Sequence, residues 1–149
     1  MATTFPSVEW FQELADITNG DEVFRKFGRL DAIIAFKIGD RAFNVTFDVL
    51  TAGDIREIED EEMRDSDFII ELSLDQWQGM LEDIKANGTA SKDWTLNTLD
   101  LINDDPIHRN MEGDGYRADF FFRYNPSLQR FIENASQMET TFDLAGAPA

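Results

Sequence analysis

His108 is the only histidine in the chain, and there is no cysteine. Arg109 follows it directly, and Glu112, Asp114 and Asp119 come shortly after. His108 paired with Asp114 or Asp119 is the arrangement best suited to acid–base work, because imidazole titrates near neutrality and a carboxylate can fix its tautomer. The spacing does not require such a pair, and a lone histidine in a polar loop after Pro106 also reads as a surface residue. Other chemistries lack their parts. There is no Gly-x-Ser-x-Gly elbow and no thiol nucleophile. There is no phosphate-cradling glycine loop leading into Lys-Ser or Lys-Thr, and Gly113 with Gly115 alone does not make a dinucleotide fingerprint. The acidic stretches Asp54–Asp67 and Asn103–Asp114 lack the alternating ligands, central glycine and closing glutamate of a calcium loop. No catalytic residue, metal or cofactor is therefore assigned, and a small-molecule isomerase- or dehydratase-type enzyme using His108 with a nearby carboxylate stays an alternative to simple binding.

Charge narrows the partners. Thirty acidic residues face thirteen basic ones, for a formal net charge of −17. Such a field repels phosphate backbones and anionic membrane surfaces, so nucleic acid is not an expected partner. Arg117, Arg123 and Arg130 do lie among aromatics, but within this acidic chain they read as helix-face charges. A solvated acidic surface is the plain reading, and a face that docks on a basic protein partner is the alternative. Met1–Pro6 shows neither a basic nor an apolar leader region, and no apolar run approaches the roughly 20 residues of a membrane span. A cytoplasmic protein without a membrane span is expected, and the absence of cysteine is compatible with a reducing compartment.

Thirteen Phe and three Trp are the second unusual feature. Phe120, Phe121 and Phe122 are consecutive, and on a helix three neighbours span about 200°. Either two surfaces meet this segment, or one ring lines a cavity or an interface.

The elements that would position these residues follow from periodicity. Ser7 caps a helix with Trp10, Leu14 and Ile17 on one face, ended by Asn19-Gly20. Asp21 caps a shorter helix closed by Gly28. The period then falls to two. Ile34, Phe36 and Ile38, a turn at Gly39-Asp40, and Phe43, Val45, Phe47 and Val49 predict a hairpin with one buried and one wet face. Asp54–Glu59 reads as a short charged edge strand, or equally as a mobile acidic loop. Phe68, Ile70 and Leu72 make a further strand. Ser73 and Gln76 form a capping box for a helix carrying Leu74, Trp77, Leu81 and Ile84, stopped at Asn87-Gly88. Residues 89–103 lean to helix through Leu96, Leu99 and Ile102, and Asp104-Asp105-Pro106 ends them. Glu112–Gly115 is a turn. Tyr116, Phe120 and Tyr124 predict a helix, and Asn125 caps another that begins at Pro126. The fold class is α+β.

Three stretches carry a family resemblance. They are the early helices leading into the hairpin Ala32–Val49, the strand–Ser–helix segment Asp67–Leu81, and the closing helix Asn125–Asn134. In this order they resemble the sterol carrier protein type two group of lipid-binding domains, as a bacterial member. The resemblance implies one domain over residues 5–137, with 138–149 a disordered tail. It implies a mostly antiparallel five-stranded sheet packed against helices, an apolar cavity between sheet and helices, and the C-terminal helix as a lid. It therefore implies noncovalent binding or transport of a hydrophobic small molecule such as a lipid, sterol or acyl chain. Trp77, Met80, Leu81, Trp94, Phe120, Phe121, Leu128 and Phe131 are the expected lining, and each could instead be plain core. The family's Gly-Lys-Leu and Gly-Asp segments after the middle helix are replaced here by Asn87–Leu96, with Gly113-Asp114 much later. The ligand can therefore differ greatly from a sterol or acyl chain.

Overall fold

The computed structural model describes residues 2–28, 30–103 and 107–142. The Ser7 hydroxyl accepts the Trp10 N–H at 3.0 Å and starts α1 (Val8–Asn19), which buries Trp10, Phe11 and Leu14. Asp21 caps α2 (Glu22–Lys26) by accepting the Val23 N–H. Strands β2 (Ala32–Ile38), β3 (Arg41–Asp48) and β4 (Thr51–Ile58) then form an antiparallel meander, with Gly39 at φ 62° in the first turn. A 3-10 turn, Asp60–Asp65, leads to β5 (Phe68–Leu72), which returns parallel to β2. The strand β6 (His108–Arg109) adds antiparallel to β5. The sheet thus has five strands in the order β4-β3-β2-β5-β6 and is mostly antiparallel, as expected.

The acidic segment does form an edge strand, β4, one that starts earlier than the sequence predicts. Asn44 pairs with Arg56 and Thr46 with Gly53, so Asp54 and Ile55 bulge opposite Val45, with Asp54 at φ 50°. Helix α3 (Leu74–Asn87) carries the full capping box at Ser73 and Gln76 and ends on Gly88 at φ 81°. Helix α4 (Leu96–Ile102) occupies the ambiguous stretch. Its predicted stop, Asp104-Asp105-Pro106, lies outside the described residues. The predicted single helix over 116–124 is two short ones, α5 (Gly115–Ala118) and α6 (Phe120–Arg123), followed by α7 (Asn125–Glu133).

Four details correct the sequence reading. The second face of the hairpin is not wet. Ala35, Ala42 and Ile69 are buried there under Met63 of the 3-10 turn, with Met111 beside them. Val49 lies past the end of β3, in the turn to β4, at φ 60°. Tyr124, not Asn125, is the N-cap of α7, and no side chain caps it. Finally, a strand lies beyond the closing helix: β7 (Thr140–Phe142) pairs in parallel with β1 (Thr3–Phe5), which the sequence did not signal. Residues 143–149 lie outside the described set.

Helix α7 is fastened to α2 by Arg130, whose Nε and Nη2 donate to the two Asp21 oxygens at 2.6 and 3.2 Å. Asn134 bridges Asp21 and Thr18. These partners, the Arg130 hydrogen bond first, hold the Asp21 carboxyl at about 2.

Candidate functional site

The helix-facing side of the sheet carries Phe36, Phe43 and Phe47, and rings from the helices lock against them. Phe11 stacks on Phe36 at 5.4 Å and meets Phe43 at 5.2 Å. Phe131 of α7 meets Phe36 at 5.9 Å and Phe47 at 5.0 Å. Trp77 of α3 sits 6.1 Å from Phe36 and 6.0 Å from Phe5, and its indole N–H donates to the Lys37 carbonyl at 2.9 Å. Met80 and Leu128 are buried in the same cluster. Among the described residues, ring thus meets ring between the sheet and the helices. Trp77, Met80, Leu128 and Phe131 sit within that packing.

The remaining expected lining residues separate. Trp94 lies over Gly79, so close that a Cβ there would fall 2.5 Å from its Cη2. Phe120 packs between Tyr116 and Tyr124 at 5.2 and 5.8 Å. Phe121 turns inward, and Phe122 is 50 % exposed. The three consecutive phenylalanines do therefore address different surfaces. Leu81 faces a concavity described below.

His108 is not in an exposed loop. It lies in β6 with its side chain 10 % exposed, and its Nδ1 is 2.6 Å from Asp100 Oδ1. That oxygen also accepts the Ile107 N–H at 2.9 Å. The ring is stacked on Phe121 and edge-on to Phe122. The carboxylate partner is Asp100, not Asp114 or Asp119. Asp114 caps α5, and Asp119 is where α5 gives way to α6. Asp100 was missed because it sits on a helix eight residues upstream, and only the fold brings it to the strand. Among the described residues no group of three or more His, Cys, Asp or Glu side chains could hold a metal ion. No helix there is long and apolar enough to cross a membrane.

A groove of about 310 Å³ opens between the C-terminal half of α3 and the segment that enters β7. Leu81, Ala86, Ala135 and Phe142 supply its apolar surface, and Glu82, Lys85, Glu139 and Thr140 its polar one. Lys85 Nζ donates to Glu139 at 3.2 Å and to the Ser136 carbonyl at 3.3 Å, closing one side. Behind the groove the aromatic packing is continuous. Phe142 meets Phe5 edge-on at 6.0 Å, Phe5 meets Trp77, and Trp77 meets Phe36. Sequence reasoning found Leu81 through its helical stripe. It read Ala135 only as part of the closing helix's apolar stripe, and it missed Phe142 because β7 had no recognisable pattern.

Comparison with solved structures finds a backbone of this kind. A conserved hypothetical protein of Thermus thermophilus, described as "possibly sterol carrier protein" and solved in solution, superposes with a TM-score of 0.65. The alignment covers 91 % of this chain and 90 % of that one at 18 % identity. The two chains share a fold. No protein-family model and no curated protein matches the sequence.

Proposed function

We propose that the protein binds a hydrophobic small molecule noncovalently, as a cytoplasmic carrier, and that the groove beside α3 is where the ligand enters. The observation that carries this reading is the apolar floor formed by Leu81, Ala86, Ala135 and Phe142, backed by the ring series from Phe142 to Phe36. The shared fold with a protein described as a candidate sterol carrier supports it. A volume of about 310 Å³ is at the low end for ligand pockets, which run from ~300 to 1,000 Å³. The occupant is therefore a short acyl chain or a compact ring system, or it gains room by displacing Phe142 toward solvent.

Affinity comes from apolar ligand surface leaving water, at about 25 cal/mol per Å², less the cost of ordering the ligand. Trp77, Met80, Leu128 and Phe131 act behind the floor and become lining only when Phe142 and Phe5 yield. Trp94, Phe120 and Phe121 support the surrounding helices. Titration of the purified protein with a pyrene-labelled acyl chain tests the proposal. A saturable one-to-one rise in emission is expected, and a signal that grows linearly without saturating contradicts it.

A further inference from the structure

A second concavity lies away from the groove. It is a cleft of about 230 Å³ lined by Phe27, Asp31, Arg123, Tyr124, Pro126 and Ser127. Tyr124, Pro126 and Ser127 are the N-cap and first turn of α7, so the cleft opens on the start of a nine-residue helix. The first N–H groups of a helix have no intrahelical acceptor and carry the positive end of its dipole. The helical bonding of α7 begins only with the Leu128 N–H to the Tyr124 carbonyl, and no side chain caps the turn.

One side chain in the cleft points to a missing partner. Ser127 is 3 % exposed, lines the cleft, and has no hydrogen-bond partner for its hydroxyl among the described residues. The Asn125 Nδ2 of the same turn, which is buried with no partner among the described residues, does not line the cleft. Arg123 completes the donors. In a chain of net charge −17 it forms no ion pair among the described residues, and its guanidinium lies over Tyr124 at 5.6 Å.

We propose that this cleft binds a small monoanion, a carboxylate on a flat or apolar body. The carboxylate takes hydrogen bonds from Ser127 and the first turn of α7 and charge from Arg123, while the body packs on Phe27, which is 51 % exposed. Asp31 on the same cleft accepts the Val49 N–H at 2.8 Å. One guanidinium and one helix start match a single negative charge, which favours carboxylate over phosphate. The site does not depend on the groove beside α3.

The test is an amide-resolved NMR titration with benzoate, inorganic phosphate and benzyl alcohol. Benzoate is expected to give saturable shifts centred on Ser127 and Leu128, with phosphate and the neutral alcohol much weaker. Arg123→Gln should weaken benzoate about tenfold, as loss of a charge-assisted contact does, and Ser127→Ala should weaken it several-fold. Arg123 is exposed, so that variant keeps the test valid if Ser127→Ala fails to fold. Benzoate shifts that do not saturate, that map elsewhere, or that survive Arg123→Gln undiminished overturn the proposal. Phosphate binding tighter than benzoate overturns the monoanion assignment.

Discussion

His108 lies flat on Phe121, with ring centroids 4.6 Å apart and planes within 5°, while Asp100 takes its Nδ1. This pair joins the last strand of the sheet to α4 and α6. It carries a backbone load as well, because Asp100 also accepts the Ile107 N–H. Asp100→Ala should lower unfolding stability by about 2–3 kcal/mol, since it strands buried donors. Asp100→Asn, which keeps an acceptor oxygen, should cost less. Urea unfolding of both variants measures the difference, and equal losses would assign the effect to packing alone.

Asp21 gives a pH dependence with a definite sign. Arg130 holds its folded-state carboxyl at about 2, against 3.8 for the free group. A depressed carboxyl binds fewer protons folded than unfolded, so its contribution is full above pH 3.8 and fades as pH falls toward 2. The size at neutral pH is about 2 kcal/mol, from 1.36 kcal/mol per pKa unit. Arg130→Gln should flatten stability between pH 4 and 2. An unchanged slope in denaturant midpoints over that range would refute the assignment.

Gly79 reports on Trp94. Alanine in mid-helix is ordinarily better than glycine by about 1 kcal/mol. Here its Cβ would collide with the far edge of the Trp94 ring, and displaced packing typically costs about 1–3 kcal/mol. Gly79→Ala is expected to be net destabilising in the wild-type background and stabilising in Trp94→Ala. A gain in both backgrounds would mean the indole does not rest on this helix.

Val49 occupies the left-handed region at φ 60°, an unfavourable place for a β-branched side chain. The turn is held by the Val49 N–H to Asp31 and by the Leu30 N–H to the Val49 carbonyl. Val49→Gly keeps both bonds and should raise stability by about 1 kcal/mol, read as a higher thermal midpoint. A lowered midpoint would show that the side chain contributes more than the backbone strain removes.

The sheet and most helices could be read before any coordinates because their signals are local. The two-residue period of Ile34–Ile38 and Phe43–Phe47, and the caps at Ser7, Asp21 and Ser73, decide structure over a few residues. What was missed depends on distant partners. The strand Thr140–Phe142 is defined by Thr3–Phe5, at the other end of the chain. The strand His108–Arg109 has two residues and no period of its own, and it exists because Ile69 and Ile70 offer an edge. The far face of the hairpin was read as wet because Met63 covers it from a segment dominated by acids. The candidate site suffered most. Helical spacing found Leu81, whereas Phe142 and Ala135 join it only through the fold. Trp77, Met80, Leu128 and Phe131 are buried in the core cluster, where a residue's type and spacing look the same whether it packs or lines a pocket.

The most direct test of the groove is to fill it. Ala86 is an exposed part of its lining, so Ala86→Trp should fold with an unchanged thermal midpoint. Fluorescence titration with the pyrene-labelled acyl chain is expected to show saturable binding to the wild type, weakened about tenfold or more in Ala86→Trp by steric exclusion. Equal affinity of the two folded proteins, or no saturable binding to the wild type, would contradict ligand binding at this groove.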